Sequence, residues 1–307
     1  MLWMPLALVA SLLLPPLQGG QTTPAHVSLD SLRASIGKRV AEVENAVVGI
    51  ALRDYETGDT LFINADDSFH AASTMKVPVM IELYRRVDAG GFRLDQGIPL
   101  VNQFASIVDG SPYSLNAGDD SDSSAYGLIG KRVPLRELIE RMITRSSNLA
   151  TNALIELVGA KNANATAHTL GATNIRVLRG VEDGKAFQAG LNNSTTARDL
   201  AALLDAIETG RAASRASCDA MRDILLRQEF NSEIPAGLPA GTKVAHKTGW
   251  ITGVLHDAAI VYPAKRRPYV LVVLTRGIPN DKVARQLIAD VSRIIYGHIA
   301  TKGASAK

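Results

Sequence analysis

Strand-like runs stand at both ends of this chain and helical runs fill its middle. That division limits the possible folds more than any other feature. Near the N-terminus, VVGIALRD and TLFIN flank a Glu56-Thr57-Gly58-Asp59 turn, a hairpin signal. Late in the chain, KVAHKTG, HDAAIVY and YVLVVLT read as three further strands. Between these groups, residues 73–87, 135–145, 147–158 and 195–208 have a helical pattern. A helix before the first strand puts Leu29, Leu32, Ile36, Val40 and Val43 on one face, and DKVARQLIADVSRIIYGHI closes the chain with another. The economical architecture is a mixed α/β (α+β) domain. It has one five-stranded antiparallel sheet built from both ends, flanked by the terminal helices, with an inserted all-helical lobe. Residues 28–300 would form it, with a sheet lobe from 28–72 and 209–300 and a helical lobe from 73–208. The cleft between the lobes is the natural place for a site.

The 46% hydrophobic and 21% charged content suits a soluble protein with a substantial core. A net charge of +3 and the lack of any dense Lys/Arg run argue against a nucleic-acid partner. Cys218 is the only cysteine, so no internal disulfide or cysteine-based metal cluster can form. The six histidines are scattered and none forms H-E-x-x-H. The apolar run from Leu2 to Leu17, broken by Pro15 and Pro16, is too short for a membrane span and suits a signal peptide ending near residue 20. No Lys or Arg precedes it, and no cysteine follows that could carry a lipid anchor. The expectation is a periplasmic or secreted monomer with no stable membrane span once the leader is removed.

The polar stretch at 102–127 reads as a solvated surface excursion. Its Asp119, Asp120 and Asp122 invite a calcium loop, but starting one at Asp120 puts Ala125 where Gly is required and Lys131 where Glu is required. No metal is expected there.

Three short motifs carry chemistry. AASTMKVPVM (71–80) holds Ser73 and Lys76 in an otherwise apolar segment. A spacing of three puts both side chains on one helical face. Ser73 stands where the helix would begin, among free backbone N–H groups. The apolar neighbours would lower the lysine pKa and make a neutral amine available as a base. Pro78 should kink or break this helix. A second S-x-x-K, Ser35 to Lys38, lies on the exposed side of the first helix. Ser146-Ser147-Asn148 falls at the junction of two amphipathic patterns, whereas the similar Ser114-Leu115-Asn116 lies in the polar excursion. Lys247-Thr248-Gly249 ends a predicted strand, and Gly249 would let a substrate approach closely.

Taken together and in this order, S-x-x-K, S-x-N and K-T-G resemble the motif set of class A β-lactamases and penicillin-binding proteins. FINADDSFHAASTMKVPVM, MITRSSNLATN, TTARDLAALL and KTGWITGVLHDAAIVYP look like family segments, so the resemblance runs from about Val47 to the last helix. It implies that Ser73 is the acyl-forming nucleophile and Lys76 its candidate base. Ser146 would relay a proton to the departing amide nitrogen, and Asn148 would bind the substrate's side-chain amide. Lys247 and Thr248 would hold the substrate carboxylate, and Lys247 would also orient Ser146. The backbone N–H groups of Ser73 and Trp250 would form an oxyanion hole. Asn152 would brace the Ω-loop, and no metal or organic cofactor is needed. Ser147 stands where many class A enzymes have Asp.

The corresponding Ω-loop reads LRGVEDGKAFQAGLNNSTTARD. Glu182 lies where the family's deacylating base is found. Ala186 stands four residues on, where the family has Asn, and Asp183 is an alternative carboxylate. A solvated Glu-Asp pair is the bland alternative. Three functions therefore stand side by side: a β-lactamase, a D,D-peptidase relative acting on D-Ala-D-Ala-type peptides with slow deacylation of β-lactams, and, ranked last, a non-catalytic β-lactam sensor.

Overall fold

The computed structural model describes Met1 and residues 28–305. The expected signal peptide lies outside the described residues apart from Met1. Among the described residues, the main sheet is made of β1 (Val47–Asp54), β2 (Thr60–Ile63), β3 (Lys243–Ile251), β4 (Val254–Tyr262) and β5 (Tyr269–Arg276). They form one sheet of order β2-β1-β5-β4-β3, and every neighbouring pair is antiparallel. This is the expected sheet. The N-terminal hairpin joins the C-terminal meander through β1 and β5, with Val47 opposite Arg276 and Asp54 opposite Tyr269.

Both faces of the sheet are covered, which explains why YVLVVLT is a continuous apolar run. Val270, Val272 and Leu274 face the helical side, while Tyr269, Leu271 and Val273 face the terminal helices. Those helices are α1 (Leu29–Ala41), which contributes Leu32 and Ile36, and a long final helix (Asp281–Ser305), which contributes Leu287, Ile288, Val291, Ile295 and Ile299.

Seven helices lie between β2 and β3 among the described residues. They are α2 (Lys76–Asp88), α3 (Leu135–Thr144), α4 (Asn148–Val158), α5 (Ala160–Thr169), α6 (Gly184–Gln188), α7 (Ala197–Glu208) and α8 (Arg215–Leu225), so the final helix is α9. Every residue of α2 from Lys76 to Tyr84 is buried, so this helix is the axle of the helical part. Each fully buried aliphatic side chain on it contributes roughly 1.5–3 kcal/mol. Pro78 does not break it. The backbone runs as a tight 3₁₀ turn over Ala72–Met75, and α2 starts only at Lys76. Pro78 therefore falls in the first turn, where a backbone N–H has no helical partner to lose.

Helices α5, α6 and α8 were not anticipated from the sequence. The interior face of α5 is built largely from Ala163 and Ala167, and α8 buries Cys218, Met221, Ile224 and Leu225 in the same core as α2. The excursion at 102–127 is largely exposed, as expected, but it is anchored at several buried residues. Ser106, Leu115, Asp120, Asp122 and Ala125 are all buried: Ser106 Oγ donates to Asp183, while Asp120 accepts from the Asn148 and Leu149 N–H groups and Asp122 from Arg141. No helix among the described residues is long and apolar enough to cross a membrane.

The final helix docks so closely that one glycine decides it. A Cβ on Gly237 would stand 2.0 Å from the Ala289 carbonyl oxygen and 2.8 Å from Ser292 Cβ. Gly237→Ala should therefore destabilise the protein by about 2–3 kcal/mol. In contrast, Gly37→Ala, where a Cβ meets nothing within 4 Å of helix α1, should stabilise it by up to about 1 kcal/mol. Urea midpoints at constant slope measure both, and a Gly237→Ala midpoint equal to wild type would contradict this close docking.

Candidate functional site

The Ser73 turn is set from two sides. Phe69 and His70 pair with Thr195 and Ser194, and the Ala71 N–H donates to the Asn193 carbonyl at 2.9 Å. Ala72 then takes φ 45°, a conformation uncommon outside glycine, and swings the chain into the 3₁₀ turn that carries Ser73. Its N–H donates to His70 Nδ1 at 3.0 Å. The His70 carbonyl accepts from Nε2 of His256 on β4 at 2.8 Å. Burial lowers the His256 pKa to about 4, so the ring is neutral and this tautomer serves as a brace. Gly249 of β3 closes the other side, since a Cβ there would lie 3.2 Å from the Ser73 amide nitrogen.

Ser73 opens onto a cleft of about 670 Å³, lined also by Ser146, Asn148, Glu182, Thr248, Gly249 and Trp250. Its hydroxyl makes no hydrogen bond among the described residues. Lys76 and Lys247 lie behind the lining, both with 0% exposure. Lys76 Nζ donates to the Ser146 carbonyl (2.6 Å), to Ser146 Oγ (3.1 Å) and to Asn148 Oδ1 (2.9 Å). Lys247 Nζ donates to the same Ser146 Oγ (3.0 Å) and to the Thr248 carbonyl (2.9 Å). Ser146 sits at φ 57°, which points its hydroxyl between the two amines.

Burial removes water from both ammonium groups and lowers both pKa values. Lys76 falls to about 7, with Asp120 and then Glu182 opposing the drop. Lys247 lies well below the ordinary lysine value, because burial is joined by repulsion from Lys76. A site with this wiring can hold a neutral amine near a serine and pass a proton through a second hydroxyl.

Glu182 approaches from the loop between α5 and α7. Its Oε1 accepts from Asn148 Nδ2 at 2.6 Å, so Asn148 bridges Glu182 and Lys76. The side chain is open to solvent along the cleft, yet the protein around it still pushes its carboxyl up. Asp183 also borders the cleft, but its carboxylate is engaged elsewhere. It caps α6 through the Ala186 N–H (3.0 Å) and accepts from Ser106 Oγ (2.9 Å) and the Ile107 N–H (3.0 Å). Asn152 stands behind the cleft and holds the loop at Val181, accepting its N–H at 2.6 Å and donating to its carbonyl at 3.0 Å. Ala186 is buried in α6 and presents no polar atom. Trp250 is 53% exposed at the rim, with Nε1 donating to Asp281 at 2.7 Å.

Several supporting residues were not anticipated from the sequence. Arg179 closes the loop onto the Leu191 carbonyl (2.8 Å) and Asn192 (3.0 Å), and Asn193 binds backbone at Leu178 and Arg179. Asp120 binds the start of α4. A polar residue in a polar loop carries no signal of burial. The only hint was the density of Asn and Asp, which favour local backbone hydrogen bonds.

Residues 31–299 match the model of a family described as the beta-lactamase enzyme family. The β-lactamase AST-1 of Nocardia asteroides is 28% identical over 285 residues, covering 90% of this chain and 87% of its own. A β-lactamase structure from Sphaerobacter thermophilus shares a TM-score of 0.72 at 29% identity, covering 87% of this chain and 96% of its own. PBP-A, solved as a Leu→Glu variant in an acyl-enzyme complex with penicillin G, has a TM-score of 0.72 at 29% identity and covers 89% and 97%.

The electrostatics make Lys76 measurable apart from any reaction. Lys76 should be protonated below about pH 7 and neutral above it, so its Cε resonance should titrate with a midpoint near 7. Exposed lysines should titrate at about 10.4. A Lys76 midpoint among the exposed lysines would contradict the desolvated site.

Proposed function

The chain belongs to the beta-lactamase enzyme family, and from that membership we propose a serine hydrolase that opens β-lactam rings through an acyl-enzyme on Ser73. The observation that carries the reading is the convergence of Lys76 and Lys247 on Ser146 Oγ, at 3.1 and 3.0 Å, behind the cleft onto which Ser73 opens. Neutral Lys76 takes the Ser73 proton as Oγ attacks the lactam carbonyl. In the resting site Lys76 is held by Ser146 and Asn148, and the contact with Ser73 tightens as substrate fills the cleft. The backbone N–H groups of Ser73 and Trp250 stabilise the resulting oxyanion. Ser146 delivers a proton to the lactam nitrogen as the C–N bond breaks, and Lys76 restores it. Lys247 and Thr248 hold the substrate carboxylate, while Gly249 leaves room for the Ser73 turn to pack against β3. Asn148 binds the side-chain amide.

Deacylation falls to Glu182. Substrate that claims the Asn148 amide frees the Glu182 carboxylate to accept a proton from water. The apolar run at 2–17 supports export to the periplasm or medium, and the enzyme works as a monomer without a cofactor. A second reading, a D,D-peptidase relative that deacylates slowly, is favoured by Ala186, which offers nothing to help hold that water, and by the likeness to PBP-A.

Glu182→Gln separates the two. The variant should still acylate, because Ser73, Lys76 and the oxyanion donors remain, and should then stall, because the amide cannot take a proton from water. Intact mass should show the adduct persisting for minutes or longer in the variant and decaying quickly in wild type. Equal lifetimes would leave Glu182 a surface carboxylate and favour the peptidase reading.

A further inference from the structure

The segment 102–127 folds back beneath the cleft and delivers Asp120 to the first turn of α4. Asp120 is 7% exposed and forms no ion pair with a cation among the described residues. Backbone N–H groups satisfy it instead. Both carboxylate oxygens accept from the Asn148 N–H at 3.0 Å, Oδ2 also accepts from Leu149 at 2.9 Å, and Oδ1 accepts from Asp122 at 3.0 Å. Asn148 and Leu149 open α4, where N–H groups have no helical partner and the helix dipole favours an anion. Ser147 caps only the next donor, Ala150, at 3.3 Å. The neighbouring Asp122 differs, because it pairs with Arg141 at 2.8 Å.

What Asp120 holds is the segment that holds Lys76. Ser146 stands two residues before the anchored amide of Asn148, in a left-handed conformation that the chain does not favour by itself. Between them Ser146 and Asn148 supply all three hydrogen bonds to Lys76 Nζ. We propose that Asp120 is a positioning residue of this site: its carboxylate fixes the first turn of α4 so that Ser146 and Asn148 meet Lys76, and it sets one negative charge against the Lys76–Lys247 pair. The catalytic consequence rests on the proposed reaction, whereas the structural one does not.

The charges around Lys76 are few. Asp120 and Glu182 oppose the effect of burial, and Lys247 faces Lys76 across Ser146. Asp120 also lies near Tyr126, whose hydroxyl is raised by burial and then by Asp120, and near Glu182, which it raises too.

Asp120→Asn keeps the shape and one acceptor but removes the charge. The Lys76 Cε midpoint should fall below about 7, by about half a unit or more. The Asn148 and Leu149 amides should exchange faster. With a penicillin, the acid limb of the acylation profile should move to lower pH with that midpoint, and its plateau should drop on the order of tenfold. A purely structural role would lower the plateau and leave the limb in place. Asp120→Glu keeps the charge but shifts it by one methylene, so it should keep the midpoint near wild type and still lower the plateau. An unchanged midpoint in Asp120→Asn overturns the electrostatic half of the proposal. A full wild-type plateau in Asp120→Glu overturns the positioning half. A wild type that shows the lysine shift yet never acylates sinks the proposed reaction and leaves the role of Asp120 standing.

Discussion

Two lysines without access to water meet at one serine hydroxyl, and the structure around the cleft is organised by that constraint. Burying an ammonium group without a partner is costly enough that such groups give up their proton instead. Among the described residues, neither Lys76 nor Lys247 forms an ion pair with a carboxylate. Their contacts are carbonyls, one hydroxyl and one amide oxygen. Two like charges sharing Ser146 Oγ repel, which adds to the desolvation of Lys247. The result is amine chemistry at neutral pH, held in a fixed direction.

Fixing that direction requires strained backbone. Ala72, Ser146 and Glu182 all have positive φ and all border the cleft. Each such residue costs on the order of 1–3 kcal/mol at most and persists only where neighbours hold it. His70 and His256 hold the first, and Asp120 and Ser147 hold the segment after the second. Asn152 and Arg179 hold the loop that carries the third. The sheet supplies a rigid wall through β3 and β4, and the buried axle α2 supplies the other.

The sheet was legible because both its faces are buried, so β5 and the second half of β4 read as apolar runs. The helices with wide apolar faces, α3 and α7, were legible for the same reason. Helix α5 was not, since alanine packs well without producing a strong period. The anchoring of the polar segments was not legible because Asp120 and Asp183 look like solvated residues when distant partners, the Asn148 amide for one and the Ile107 amide for the other, cannot be seen. The site's centre was legible only through motifs. Nothing in local periodicity links Lys76 and Lys247 to Ser146, from which they lie 70 and 101 residues away.

The proposed chemistry depends on Ser73 as the acylated residue. The direct measurement is to treat the protein with a fluorescent penicillin at neutral pH, digest it and locate the adduct by mass. The prediction is a single adduct on the peptide containing Ser73, lost in Ser73→Ala and retained in Ser35→Ala, whose serine lies exposed on α1 and donates to the Ser31 carbonyl. Undiminished labelling of the Ser73→Ala protein would contradict it.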